Sequence, residues 1–311
     1  MIAPEVAYST PLGRMVRGLA EDSIAAGLVA GPGEVQLVLT SPPFPLKTKK
    51  RYGNLQGQQY IDWLASFAGR LKGLLTPDGS IVLELGNAWE PGEPIMSTLP
   101  LRALLAFLDA GEFELCQQFI CHNPARLPGP AQWVNVERIR AKDSFTHLWW
   151  MSPTGRPKAD NRRVLRAYSG RMKSLLRRQS YNSGMRPSDH RIGPTSFLAD
   201  NGGAIPSSVL SFSNTASTDP YQKYCRTHGL RPHPARMPTA LANFFVRFLT
   251  EPGDLVYDPF AGSNTTGAAA EAADRRWVAT EPLDEYVLGS QGRFANGLVV
   301  TAPGKPGERS A

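Results

Sequence analysis

Two short stretches of this chain combine residue types that can do chemistry. The first is Thr40-Ser41-Pro42-Pro43-Phe44, which follows the apolar run Val35-Gln36-Leu37-Val38-Leu39. The run reads as a buried strand, so Ser41 stands where the strand ends and the chain must turn. Two prolines fix φ and remove two backbone donors, leaving carbonyl acceptors beside a hydroxyl and an aromatic face. A flat group with an exocyclic amine suits that rim: its ring on Phe44, its N–H groups on Ser41 and the Pro42 carbonyl. Four residues alone also fit a plain proline turn. The second stretch is Asp258-Pro259-Phe260-Ala261-Gly262-Ser263-Asn264-Thr265-Thr266-Gly267, between an apolar strand and an alanine-rich helix. Strand, small-residue turn and helix let backbone approach a ligand at Gly262. Glu281 follows 19 residues later, the spacing at which an acid grips ribose hydroxyls. No G-x-x-x-x-G-K-[ST] loop and no glycine pair for a pyrophosphate occur. An adenosyl ligand without phosphates fits best: S-adenosylmethionine, with its ribose at Glu281 and its methionine end near Asp258.

The elements that must hold these turns are legible around them. Residues 58–75 carry a helical apolar stripe, and Thr76-Pro77-Asp78-Gly79 reads as the turn that ends it. The strand 80–86 follows, interrupted by Glu84 near its C-terminal end. That carboxylate would point at the same sheet edge as Ser41, to orient an amine or take a proton; a capping or ion-pair role is the alternative. A helix is expected at 96–110 and strands near 113–121 and 145–152, so a parallel sheet finished by a hairpin is predicted. A further helix is expected over 239–250, with strands at 255–258 and 276–280. Residues 1–34 read as a Gly/Pro-rich lead-in, and the last dozen as a disordered tail.

Composition narrows the class. The chain has 311 residues, 41% of them hydrophobic, enough for one large α/β core with an inserted module. No apolar run approaches the ~20 residues needed to span a bilayer. No secretory signal is evident and three cysteines give no metal spacing, so a cytoplasmic protein without a metal site is expected. The formal net charge is +7. Between Arg156 and Arg191 stand eleven basic residues and only two acids, an excess of nine that exceeds the charge of the whole chain. An ordinary solvated face interleaves both signs, so this one reads as facing a polyanion. Lys47, Lys49, Lys50 and Arg51 form a basic loop beside the first motif, within reach of phosphates there or simply solvated.

Together the two motifs resemble the DNA amino-methyltransferases, catalytic motif first and cofactor motif 214 residues later, the order of the permuted beta group. Lys50-Arg51-Tyr52-Gly53-Asn54-Leu55, Trp133-Val134-Asn135, Arg186-Pro187-Ser188, Asp200-Asn201-Gly202-Gly203-Ala204-Ile205-Pro206 and His233-Pro234-Ala235-Arg236 extend the likeness to the cytosine-N4 branch over roughly residues 35–295. The resemblance implies a Rossmann-like α/β fold, a seven-stranded mixed sheet with helices on both faces. It places a catalytic half at 1–153, a target-recognition insert at 154–231 and a cofactor half at 232–311. It assigns Ser41, Pro42, Pro43, Phe44 and Glu84 to catalysis. Thr40, His233, Asp258, Phe260, Gly262, Ser263, Asn264, Thr265 and Glu281 go to S-adenosylmethionine. Lys47, Lys49, Lys50, Arg51, Arg138, Arg140, Arg162, Arg163, Arg177 and Arg178 go to duplex DNA. The family often places an acid just after Gly18 to hold the cofactor's adenine amine; Leu19 stands there, with Glu21 and Asp22 as substitutes.

The implied reaction is direct methyl transfer to cytosine N4 of a base swung out of the duplex. Cytosine-C5 methylation needs a cysteine nucleophile, and no Pro-Cys pair occurs. Adenine N6, methylation of RNA or protein amines, and a DNA-binding protein with an inactive methyltransferase fold are the competing readings. The resemblance is compatible with a homodimer and with a cognate restriction endonuclease; the sequence derives neither, nor the recognised site.

Overall fold

The computed structural model describes residues 3–44, 55–212, 219–294 and the backbone of 299–300. The expected basic loop with Lys47, Lys49, Lys50 and Arg51, and the expected tail, lie outside the described residues. Two compact units are present: unit 1, residues 1–159 and 208–311, and unit 2, residues 160–207.

Unit 1 runs β1 (Glu5–Ser9), β2 (Gly13–Arg17), α1 (Ala20–Ala25), β3 (Val35–Thr40), α2 (Gly57–Ala65), α3 (Ala68–Leu74), β4 (Leu75–Gly86), α4 (Leu99–Gly111), β5 (Glu114–His122) and β6 (Phe145–Ser152). Unit 2 contributes α5 (Gly170–Arg178) and a two-stranded antiparallel pair, β7 (Gly184–Met185) with β8 (Arg191–Ile192). Unit 1 then resumes with β9 (Val209–Ser211), α6 (Pro220–Thr227), α7 (Thr239–Leu249), β10 (Leu255–Asp258), α8 (Thr265–Glu271), β11 (Arg276–Glu281), α9 (Asp284–Ser290) and β12 (Val299–Val300).

Among the described residues one sheet has the order β12-β1-β2-β11-β10-β3-β4-β6-β5-β9. The expected seven strands are its centre, β2 to β5; β1 and β12 extend one edge and β9 the other. From β2 to β4 every neighbour is parallel, and β6 is antiparallel to both β4 and β5. So β5 and β6 form the expected antiparallel pair, joined by the long connection 123–144, with β6 lying between β4 and β5. All six residues of β3 are buried, which explains why the run is continuously apolar: a central strand is covered on both faces. Its one amide, Gln36, donates to the Asp78 carbonyl and accepts from Thr76 Oγ1.

Several local readings change. The lead-in holds two strands and a short helix, because β2 pairs with β11 more than 250 residues away, a partner invisible locally. The 58–75 stripe is split into α2 and α3 at Ser66–Phe67. Thr76–Gly79 is the irregular start of β4: Val35 pairs with Leu75 but Leu37 pairs with Ser80. The insert expected at 154–231 is narrower. Lys158 bonds Asp254, β9 pairs with β5, and Tyr221 and Cys225 of α6 are fully buried, so residues 154–159 and 208–231 belong to unit 1. Polar composition concealed this, since α6 buries few side chains. No helix among the described residues is long and apolar enough to cross a membrane.

Candidate active site

The strands β3, β10 and β11 are consecutive and parallel, so their C-terminal ends lie along one edge, where open α/β sheets take ligands. Ser41 follows β3, the Asp258–Gly262 turn follows β10, and Glu281 closes β11. All three border one cavity of about 510 Å³ in unit 1.

On the β3 side, Ser41, Pro42, Pro43 and Phe44 all line the cavity. Phe44 lies against Gly86 at the end of β4; a Cβ there would sit 3.1 Å from the ring. Glu84, two residues earlier, is buried behind the rim and does not border the cavity. It accepts from Thr146 Oγ1 at 2.9 Å and is hydrogen-bonded to Ser41. Burial raises its carboxyl above the usual range, offset in part by those two bonds and by the Arg126 charge. A buried acid whose carboxyl is raised by burial, bonded to a hydroxyl at the cavity wall, can relay a proton.

On the β10 side, Asp258 Oδ1 accepts from Thr40 Oγ1 at 2.6 Å and from the Phe260 N–H at 3.1 Å. Burial pushes this carboxyl up to about 6. Thr40 is fully buried and acts through Asp258, since it does not border the cavity. Glu281 Oε2 accepts from the Gly262 N–H at 2.9 Å and Oε1 from the Leu283 N–H at 3.0 Å; burial takes it to about 7. Gly262 has φ 49°, and a Cβ would meet the His233 ring at 3.1 Å, so only glycine lets that imidazole close over the turn. His233 packs edge-on against Tyr286, 4.5 Å between centroids. Phe260 anchors the turn on Trp63 and Phe67, at 5.5 and 5.2 Å. Arg293 Nη2 holds Ser263 Oγ at 2.9 Å, and Ser263 and Thr265 hydroxyls are 3.2 Å apart.

Asn264 has a different role from the one expected. It adopts φ 54°, caps α8 by accepting from the Gly267 N–H at 3.0 Å, and donates to Tyr8 Oη at 3.2 Å. Its side chain is fully buried and does not border the cavity. Conversely, Tyr60, Trp63 and Met237 border the cavity without a role expected from the sequence. Tyr60 and Trp63 lie three apart on α2, a spacing that reads as core packing. Leu19 and Glu21 both line the wall, and Asp22 does not.

The basic residues are dispersed. Arg138 is exposed with φ 57°, and Arg140 donates to the carbonyls of Pro94 and Ile139. In unit 2, Arg162 is forked onto Asp160, with bonds of 2.7 to 3.1 Å, and Arg163 is half-buried. Arg177 and Arg178 are exposed in the last turn of α5, where the helix dipole favours cations.

A family model described as DNA methylase matches residues 35–291. The chain belongs to this DNA methylase family. The type II methyltransferase M.PvuII of Proteus hauseri is 45% identical over 291 residues, 93% of this chain and 85% of that one. A solved structure of the PvuII DNA methyltransferase, cytosine-N4-specific, superposes with a TM-score of 0.75 at 37% identity, covering 94% of this chain and 89% of that one. The M1.HpyAVI complex with S-adenosylmethionine, at 17% identity and TM-score 0.53 over 92% of this chain and all of that one, shares the fold.

Proposed function

We propose that this methylase transfers a methyl group from S-adenosylmethionine to N4 of cytosine in duplex DNA. One observation carries the reading: the Ser-Pro-Pro-Phe rim and the Asp258–Gly262–Glu281 edge border the same cavity. The relationship to M.PvuII, at 45% identity, supports cytosine N4 and a place in a restriction–modification pair, with a nuclease whose sites this chain would protect.

The cavity suits the cofactor. Glu281 would take the ribose hydroxyls and Asp258 the amino end, while Phe260, Gly262, Ser263, Thr265 and His233 form the walls. Leu19 presents no acceptor, so Glu21, two residues on and on the same wall, takes the adenine amine. The bound cofactor supplies an electrophilic sulfonium methyl. The chain holds the nucleophile: Phe44 stacks on the extruded ring, and Ser41 and the Pro42 carbonyl fix the amine so that its lone pair leaves conjugation and faces the methyl. Positioning supplies most of the acceleration, and the Ser41–Glu84 pair receives the released proton. Unit 2 is the recognition insert. Its exposed Arg171, Lys173, Arg177 and Arg178 contact phosphates, whereas Arg162, tied to Asp160, contributes less. The target base must leave the stack for its N4 to reach Ser41 and Phe44, because the atom is enclosed in the paired duplex.

The test is transfer of labelled methyl from S-adenosylmethionine to duplex DNA, followed by mass spectrometry of the nucleosides. N4-methylcytosine is the expected product; N6-methyladenine or an unlabelled duplex overturns the reading.

A further inference from the structure

Tyr60 holds a group that neither the fold nor the reaction above uses. The residue borders the cavity from α2 and is 2% exposed. Its hydroxyl is shut off from solvent and has no hydrogen-bond partner among the described residues. A phenol left in this state costs stability that a phenylalanine would not. The serine and threonine hydroxyls of the cavity wall each have a partner: Ser41 bonds Glu84, Thr266 donates to the Leu39 carbonyl, and Ser263 and Thr265 share a bond, with Arg293 on Ser263. The Tyr60 hydroxyl has none among the described residues.

The position of Tyr60 narrows the acceptor. Its ring lies 5.7 Å from Trp63, which lies 5.5 Å from Phe260, the residue whose N–H is bonded to Asp258. Tyr60 therefore belongs to the side of the cavity where Asp258 would meet the amino acid end of the cofactor. Glu21, Asp258 and Glu281, the carboxylates on the wall, suit the cofactor's amines, cation and hydroxyls, not its carboxylate. We propose that the Tyr60 hydroxyl is a donor to the methionyl carboxylate of S-adenosylmethionine, a positioning contact that fixes the amino acid end and so the direction of the sulfonium methyl. The inference rests on the proposed cofactor site.

Calorimetric titration of wild type and Tyr60→Phe tests it, with S-adenosylhomocysteine, which carries the carboxylate, and with decarboxylated S-adenosylmethionine and 5′-methylthioadenosine, which do not. Tyr60→Phe should weaken S-adenosylhomocysteine roughly 10-fold or more, the scale of a bond to a charged acceptor, and change the other two less than 2-fold. The ligand-free variant should melt no lower than wild type, because it loses only an unpartnered hydroxyl. Unchanged affinity for S-adenosylhomocysteine, or equal weakening of all three ligands, overturns the proposal and returns the hydroxyl to the flipped base or to packing. Wild type that binds none of the three would instead overturn the cofactor site itself.

Discussion

The two units handle charge and burial in opposite ways. Unit 2 has 48 residues with nine basic side chains against three acids, a net +6, and Gly203 is its one fully buried residue. The remaining 263 residues carry a net charge of only +1 and bury large side chains completely, Leu37, Leu39, Tyr257 and Phe245 being at 0% exposure. Unit 1 keeps acids inside: Asp258 and Glu281 are buried and raised to about 6 and about 7. Unit 2 keeps its one strongly shifted acid outside, where the Arg162 fork lowers Asp160 to about 2. A module with so little apolar burial cannot draw much stability from a core of its own, and its outward cations suit a polyanion. A cavity ringed by raised acids suits a small cation. On the proposed reading, the same chain separates recognition by long-range charge from chemistry by close contact.

The contrast can be broken first at the catalytic rim. Phe44→Ala and Ser41→Ala should each lower methyl transfer about 100-fold or more, the scale of lost positioning or proton transfer, with cofactor affinity by titration within 2-fold of wild type. A comparable loss on changing Arg177 and Arg178 at saturating DNA would erase the division of labour. Stability gives the next test. Leu37→Ala, in a fully buried strand, should cost about 2 to 5 kcal/mol in urea unfolding, and Leu176→Ala, half-buried in unit 2, about 1 kcal/mol. Equal losses would mean that unit 2 has a core of its own.

A third expected effect concerns Arg177→Ala with Arg178→Ala. Each cation removed from a phosphate should flatten the slope of log affinity against log salt by about 0.9, so roughly 1.8 for the pair, and cofactor affinity should not move; an unchanged slope relocates the DNA surface. The smallest effect is in pH, and its sign is opposite for stability and binding. Folding raises the Glu281 carboxyl from its unfolded 4.5 to about 7, so the native state holds the proton more tightly. The ligand-free protein therefore loses stability as pH rises from about 4.5 to about 7. Cofactor affinity should rise over pH 6 to 8, because the ribose hydroxyls need the ionised carboxylate. Glu281→Gln should flatten the stability slope between about pH 6 and 7, leaving the part below pH 6 that Asp258 carries, and should remove the binding slope, as read by melting temperature and titration across that range; DNA affinity should follow neither.

Much of the site was legible because its turns carry their own conformational logic. Ser41-Pro42-Pro43-Phe44 and Asp258–Gly262 each sit at a strand end, and prolines and a left-handed glycine restrict such turns regardless of partners. Glu281 was legible from its 19-residue spacing to Gly262, and the structure adds the hydrogen bond between them. What stayed hidden depended on remote partners. The strands β1 and β2 are too short to announce themselves and exist through β11 and β12. Asn264 looked like a polar ligand contact, but its side chain is consumed in capping α8 and binding Tyr8. Tyr60 belongs to the apolar stripe of 58–75, and a helical stripe does not say which of its residues border a cavity.

By itself, the sequence determined the strand-end turns, the pairing of glycine with acid, and the charge imbalance of the insert, since each follows from residue type and short spacing. Only the tertiary structure decided that β3, β10 and β11 stand side by side, bringing residues more than 200 positions apart around one cavity. It also decided the bounds of the second compact unit, 160–207. Strand order and burial are set by contacts across the whole chain, whose free energies no local window contains.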